Sequence, residues 1–177
     1  VRRDDRCCHH GGVHSRFELP MSVAGQMLTA LGVDEPRDEM TLGALYRAWV
    51  SSVPFTNLEK ALAARDGRPL PEADGVALCE RWLDAGAGGT CWSQVAAFAG
   101  LCEQFWWSAT ASVERALWKG PPEVDFHGSV VLARAGDERL LCDLIHPSGD
   151  PLPIRDAAEG RHGPYAAGLR RGADGVL

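Results

Sequence analysis

A cysteine, a histidine and an aspartate follow one another in this 177-residue sequence at positions that suit a catalytic triad. Cys91 stands between Gly88-Gly89-Thr90 and an apolar run with helical spacing, which predicts a thiol at a helix N-terminus. The unpaired N–H groups and partial positive charge of a helix start favour the nucleophilic thiolate. Because His127 could serve as its base and Asp143 could orient the imidazole, the pattern predicts covalent chemistry at Cys91.

The positions of His127 and Asp143 indicate that they face each other across a β-hairpin. The segments 127–133 and 137–143 carry alternating, β-like patterns, and only three residues separate them. The last of these three is Gly136, which suits the left-handed position that ends a three-residue hairpin loop. The sequence therefore predicts two adjacent antiparallel strands that carry the base and its orienting carboxylate.

The predicted register makes Ala133 the partner of Asp137 and places His127 opposite Asp143, with Cβ atoms about 5 Å apart. A two-residue turn is the competing register and would place the two side chains on opposite faces. His146 is a second candidate for the base, although it lies beyond the Asp143 pair. Taken singly, the histidine could be a solvated residue at a strand start, and the aspartate could accept a local backbone N–H. The order of all three residue types favours the triad.

Hydrophobic residues at helical spacing dominate the chain up to residue 107, and short β-like runs separated by Gly and Pro follow. This pattern predicts an α+β fold, in which an N-terminal helical bundle precedes a small antiparallel sheet or barrel with a cysteine-protease-like Cys-His-Asp arrangement. Residues 1–20 show neither period and are predicted to be a disordered arm, residues 21–107 the helical domain, and residues 108–177 the β-barrel-like domain. From Arg155 onward the chain is polar and glycine-rich, which indicates a loop or a lead into a region that the chain does not contain.

Helix start and stop residues divide the helical part into five predicted helices. The helix after Gly89 begins at Cys91. The signals for the other four are a Ser22 cap with a Gly32 stop, a Thr41 cap with a stop before Pro54, a Thr56 or Asn57 cap with an end near Gly67, and a helix over residues 73–84. The buried stripe of the Cys91 helix is predicted to contain Val95, Phe98, Leu101 and Cys102.

Charge and composition narrow the class of partner. Eighteen Lys and Arg against 24 Asp and Glu give a formal net charge of −6, and no long basic run is present, so we expect a small-molecule substrate and no nucleic acid. No apolar stretch approaches the roughly 18 residues that span a bilayer, so we expect no membrane partner. The N-terminus leads into no apolar segment of a signal peptide, which favours a cytoplasmic location. The sequence leaves the oligomeric state open.

Of the six cysteines, only Cys91 is predicted to react. Cys79 and Cys102 fall within helical apolar stripes and Cys142 within a strand, where a thiol behaves as a small hydrophobic group. Without a secretion signal, the thiols are expected to remain reduced. The Cys7-Cys8-His9-His10 tract lacks the loop spacing that lets four ligands surround one ion, so no metal site is predicted.

Several motifs occur in an order that resembles the arylamine N-acetyltransferase family. The resemblance runs from about Phe17 to Ile154. The family implies a helical domain, a β-barrel domain and a third lid domain, which would begin where this chain stops. The motifs are Leu42 to Trp49, Val53-Pro54-Phe55-Thr56-Asn57-Leu58, Gly88-Gly89-Thr90-Cys91-Trp92, His127 and Leu141-Cys142-Asp143.

The resemblance also implies an activity, in which an acetyl group passes from acetyl-CoA through an acyl-cysteine to an aromatic amine or hydrazine. In that reaction Cys91 accepts the acetyl group, His127 forms the thiolate and handles protons, and Asp143 orients the imidazolium. Phe55 matches an aromatic residue that lines the acceptor pocket. Two alternatives stay open: an amide synthase of macrolactam biosynthesis, and a catalytically inactive, truncated homologue that serves as a binding module.

Overall fold

A computed structural model gives the structure of residues 17–114, 127–133, 138–155, 157–162 and 165–170. Within these residues five helices precede six strands. The helices are α1 (Met21–Leu31), α2 (Glu39–Ser52), α3 (Leu58–Arg65), α4 (Gly75–Ala85) and α5 (Cys91–Glu103). The strands are β1 (Ser108–Glu114), β2 (His127–Ala133), β3 (Arg139–Cys142), β4 (Leu152–Pro153), β5 (Ala157–His162) and β6 (Tyr165–Arg170).

The first four strands form one antiparallel sheet in the order β1-β2-β3-β4, and β5 pairs with β6 in a separate two-stranded sheet. Helix α5 packs against α4 on one side and against β1 and β2 on the other. This arrangement confirms the predicted α+β class, with helices first and a small antiparallel sheet after them.

The helices and the sheet share one hydrophobic core around α5. Its predicted stripe is confirmed, because Val95, Phe98, Leu101 and Cys102 are all buried. Trp49 from α2 packs in the same cluster, together with buried strand residues. Helix α5 is therefore held on both sides, and its first residue, Cys91, has a fixed place at the edge of this core.

The helix starts differ from their predictions in two places. Helix α1 begins directly after Pro20, and the predicted Ser22 cap lies inside its first turn. Helix α2 is capped by Asp38, whose carboxylate accepts the Thr41 N–H at 2.8 Å while the Thr41 hydroxyl accepts the Asp38 N–H at 3.1 Å. The predicted cap, Thr41, is thus the third helical residue of a capping box, in which both side chains satisfy an unpaired N–H. The predicted stop at Gly32 is correct, since its φ of 68° is left-handed.

The predicted strand register is wrong by two residues. Strand β2 covers the predicted segment, but Ala133 pairs with Arg139 instead of Asp137, so that residues 134–138 lie between the two paired positions. The last pair joins Val130 to Cys142, and Asp143 lies just beyond β3 rather than opposite His127. A register shift of two residues keeps each side chain on the same face of the sheet, whereas a shift of one residue would move it to the opposite face.

The reason for the observed register lies in the core. Leu132 is paired with Leu140 and Val130 with Cys142, and all four side chains are buried. In the predicted register Leu132 would have faced Glu138, an exposed charged residue. The loop lengthens because pairing buried side chains outweighs the preference for a tight turn.

Two terminal segments also differ from their predictions. The last four residues of the predicted arm are described, and they pack on the core: Leu19 is buried, and a Cβ at Gly100 would lie 2.7 Å from the Phe17 carbonyl oxygen. The arm residues 1–16 lie outside the described part. The segment after Arg155, predicted to be a loop or a lead into a further region, contains strands β5 and β6. Gly160 permits this packing, because a Cβ there would lie 2.5 Å from the Ser148 carbonyl oxygen.

The close packing of α4 on α5 leads to a stability prediction. A Cβ at Gly75 would lie 2.7 Å from the backbone of Ala96 and Ala97, so Gly75→Ala is expected to lower the free energy of unfolding by about 1–3 kcal/mol. Gly25 in α1 is the matched control, because nothing lies within 4 Å of its Cβ position. Gly25→Ala is expected to raise stability by up to about 1 kcal/mol. Urea denaturation measures both, and a Gly75→Ala protein as stable as the parent would contradict this packing.

Candidate functional site

Cys91 is the first residue of α5, as predicted, and its side chain is partly exposed. Thr90 before it has an extended backbone, with φ of −80° and ψ of 172°, and its hydroxyl makes no capping hydrogen bond to the helix. The thiol therefore lies at the positive end of the helix dipole. This position suits a group that reacts as an anion.

The loop before Cys91 is pressed against the Val53-Pro54-Phe55 corner. A Cβ at Gly88 would lie 1.7 Å from the Pro54 carbonyl oxygen, which no side chain could tolerate. Gly89 forms a parallel β-bridge with Phe55 and donates its N–H to the Pro54 carbonyl at 3.2 Å. The two glycines thus bring the corner and its Phe55 to the loop of residues 86–90. We call it the nucleophile loop, after the role predicted for Cys91.

Gln94, in the second turn of α5, joins this loop to the rest of the core. Its side chain is 1% exposed. The amide nitrogen donates to the carbonyl oxygens of Pro54 and Gly89, both at 3.3 Å, and the amide oxygen accepts from the Trp49 indole N–H at 3.1 Å. Gln94 is not among the residues predicted for the site, although a polar residue between Ser93 and Val95 on a predicted buried helix is a signal for such a network.

The start of β2 lies against the first turn of α5. A Cβ at Gly128 would lie 2.7 Å from the Trp92 ring, so the glycine lets the strand backbone approach that ring. Gly128 follows His127, and Trp92 follows Cys91. The fold therefore places the start of β2, which carries His127, against the ring of the residue next to Cys91, while the side chain of His127 lies outside the described part.

Asp143 forms a tight turn directly after β3. Its Oδ1 accepts the backbone N–H groups of Ile145 and His146, both at 2.9 Å. Its Oδ2 lies 3.6 Å from Nδ1 of His146. One carboxylate oxygen thus fixes the turn, and the other faces an imidazole. The side chain of Asp143 is 15% exposed and that of His146 is 52% exposed, so only the carboxylate is sheltered from solvent.

The described cysteines differ sharply in their surroundings. Burial raises the pKa of Cys79 to about 12, and the pKa values of Cys102 and Cys142 are raised well above their ordinary range by the same loss of solvation. All three are buried, and Cys91 is the most accessible of the four described thiols.

In the described part, no group of three or more His, Cys, Asp or Glu side chains could hold a metal ion. The Cys7–His10 tract lies outside that part.

A cavity of about 10 Å³ lies beside Gly89 and Thr90, with room for about one water molecule. The buried Thr90 hydroxyl and Arg81 Nε have no hydrogen-bond partner among the described residues. The cavity is too small for an organic substrate. Cys91 does not line it. Phe55, which is paired with Gly89, and Trp92, which is next to Cys91, are 55% and 38% exposed.

Solved structures of arylamine N-acetyltransferases share this fold. The Mycobacterium abscessus enzyme matches with a TM-score of 0.67 at 24% identity, over 84% of this chain and 52% of its own. The Salmonella typhimurium enzyme gives 0.65 at 18% identity, over 84% and 62%. The Mycobacterium marinum enzyme in complex with CoA gives 0.65 at 16% identity, over 82% and 59%. The sequence itself matches no protein-family model and no curated protein.

This chain therefore has the fold of the arylamine N-acetyltransferases, which confirms at the level of the fold the resemblance found in the motifs. It spans between 52% and 62% of the length of these three relatives. No helix in the described part is both long and apolar enough to span a membrane.

The difference in burial among the thiols predicts selective alkylation. In the folded protein iodoacetamide is expected to modify Cys91 well before Cys79, Cys102 and Cys142, because a thiol with a raised pKa holds little thiolate at neutral pH. Peptide mass spectrometry identifies the modified residue. The three buried thiols should react only after denaturation, and early modification of Cys102 in native protein would contradict the described core.

The Gln94 network predicts that a similarly sized apolar side chain at this position lowers the stability of the protein strongly. Gln94→Leu leaves the Trp49 indole N–H without its acceptor and removes one of two donors from the Pro54 and Gly89 carbonyls, and it should lower the free energy of unfolding by about 2 kcal/mol. Gln104→Leu at the other end of α5 is the control, because Gln104 is only partly buried. Equal midpoints in urea for the two variants would show that the network contributes nothing.

Proposed function

We propose that this chain is an acyltransferase that moves an acetyl group from acetyl-CoA, through an acyl-cysteine at Cys91, to an arylamine or hydrazine nitrogen. The observation that carries the proposal is the partly exposed thiol at the start of α5, whose neighbour Trp92 lies against the start of β2. The shared fold supports it, and so does the relative that was solved in complex with CoA.

In the first step the Cys91 thiolate attacks the thioester carbonyl carbon. The carbon–sulfur bond to CoA then breaks, and CoA leaves as a thiol with the proton that the cysteine had given to the base. In the second step the amine nitrogen attacks the acyl-cysteine, loses a proton to the base and releases the Cys91 thiolate. The start of α5 stabilises that thiolate each time it is formed.

We assign the base to His127 and the orienting carboxylate to Asp143. The close approach of Gly128 to the Trp92 ring supports His127, since Gly128 directly follows His127 and Trp92 directly follows Cys91. His146 lies 3.6 Å from the Asp143 carboxylate, but no hydrogen bond joins it to the Cys91 thiol in the described structure. The Oδ1 atom of Asp143 accepts two backbone N–H groups and Oδ2 faces the His146 imidazole, so we assign the contact with the base to Oδ2.

The acceptor is expected to bind on the exposed apolar side of the nucleophile loop. Phe55 is held there by its β-bridge to Gly89, and Trp92 and Leu58 are exposed nearby in sequence. Exposed aromatic and aliphatic side chains beside a nucleophile suit an aromatic ring better than a charged group. This arrangement supports an arylamine or arylhydrazine as the acceptor.

Incubation with acetyl-CoA should add one acetyl group to Cys91, and an arylamine should then remove it. Cys91→Ser should block the adduct. His127→Ala is expected to slow acetylation by about 100-fold or more, because a general base contributes at least that much. Asp143→Asn keeps the Oδ1 acceptor of the turn and loses only the charge. Slower acetylation by this variant would therefore report the loss of imidazole orientation and not a loss of folding. Intact-protein mass spectrometry follows each variant.

His146→Ala is the matched control for the assignment of the base. It should leave the rate of acetylation close to that of the parent, whereas an effect equal to that of His127→Ala would move the base to His146. If no adduct forms on Cys91 at any pH, the chain is not an acetyltransferase by this route.

A further inference from the structure

The phenol of Tyr46 reaches from α2 to the segment that follows β3. Its hydroxyl donates to the Asp143 carbonyl oxygen at 2.6 Å and accepts the Ser148 N–H at 3.2 Å. The Tyr46 side chain is fully buried. Because burial raises the pKa of Tyr46 well above its usual range, the phenol stays protonated and remains a donor. One oxygen atom thus holds both ends of the turn that carries the Asp143 carboxylate.

The same segment is anchored further along by α2. The buried Ser148 hydroxyl donates to the Asp150 carbonyl at 2.5 Å, and Arg47 forms an ion pair with the Asp150 carboxylate. Tyr46 and Arg47 are adjacent in α2. The turn after β3 is therefore fixed to this helix by contacts at Asp143, Ser148 and Asp150.

Trp49, three residues after Tyr46 on the same helix, holds the other part of the site. Its indole N–H donates to Gln94, which binds the carbonyls of Pro54 in the corner and of Gly89 in the nucleophile loop. Residues three apart in a helix lie on one face. The Phe98 ring packs edge-on against both aromatic rings, with centroids 6.3 Å from Tyr46 and 5.3 Å from Trp49. One face of α2 therefore contacts both halves of the site.

We propose that Tyr46 is a positioning residue, which holds Asp143 at the correct place relative to the loop of Cys91. This inference rests on the proposed function for its chemistry, because it assumes that the Asp143 carboxylate orients the base. Without the phenol oxygen, the Asp143 carbonyl and the Ser148 N–H lose a shared partner, and the turn is free to move away from α2. A small displacement of a catalytic group is enough to slow a reaction greatly.

Tyr46→Phe tests the proposal, because it removes the hydroxyl and keeps the ring that Phe98 contacts. We expect kcat for acetyl transfer to fall about 10- to 100-fold with KM nearly unchanged, since the turn acts on orientation and not on binding. The rate of Cys91 alkylation near neutral pH should fall as well, because a poorly oriented imidazolium stabilises the thiolate less. Arg47→Gln, an exposed change at the other end of the turn, should act in the same direction and more weakly.

Phe98→Leu is the control for general loss of packing. It removes both ring contacts and destabilises the core, but it leaves the Tyr46 hydroxyl in place. Equal losses of kcat in Phe98→Leu and Tyr46→Phe, or a Tyr46→Phe protein with parental kcat and alkylation rate, would overturn the inference. If the parent forms no acetyl-cysteine, the proposed function fails, and slower Cys91 alkylation in Tyr46→Phe alone would still support the positioning role.

Discussion

The buried amide of Gln94 is the interaction on which the geometry of the nucleophile loop depends. An amide in an apolar core must satisfy its donors and acceptor, because each unpaired polar atom carries a desolvation cost. Gln94 meets this demand with Trp49, Pro54 and Gly89, which belong to three separate segments. Any shift of one segment breaks a buried hydrogen bond. The loop before Cys91 therefore has one low-energy position, which holds the start of α5, with Cys91, in a fixed place.

Helix α2 extends this constraint to the sheet. Its Trp49 and Tyr46 are amphipathic aromatic residues, whose rings fill the core while a single polar atom reaches out to a distant segment. The partners, Gln94 and Asp143, lie far apart in sequence and on different kinds of element. A rigid helix that binds both keeps their separation constant. Phe98 adds a packed contact to each ring, so a tilt of α2 would disturb both halves together.

The elements were predictable from the sequence, but several of the contacts between them were not. Glycine followed by apolar residues at helical spacing placed Cys91 at a helix start, and alternation gave the bounds of β2. The register failed because turn chemistry favoured a tight loop, whereas the buried pairing of Leu132 with Leu140 decides it. Tyr46 and Trp49 were identified only as members of an apolar stripe. Periodicity records that a side chain is buried, but not which partner its polar atom meets.

The local structural role of Asp143 is compatible with the orienting role proposed for it. A carboxylate that accepts two backbone N–H groups is usually explained by the turn alone, and Oδ1 does accept them from Ile145 and His146. The turn, however, uses one oxygen and fixes the plane of the carboxylate, so that Oδ2 points in a set direction. A mobile carboxylate would lose rotamer freedom on pairing with an imidazole. Here the turn has already removed that freedom. The bonds that a purely structural explanation invokes therefore also favour the proposed orienting role.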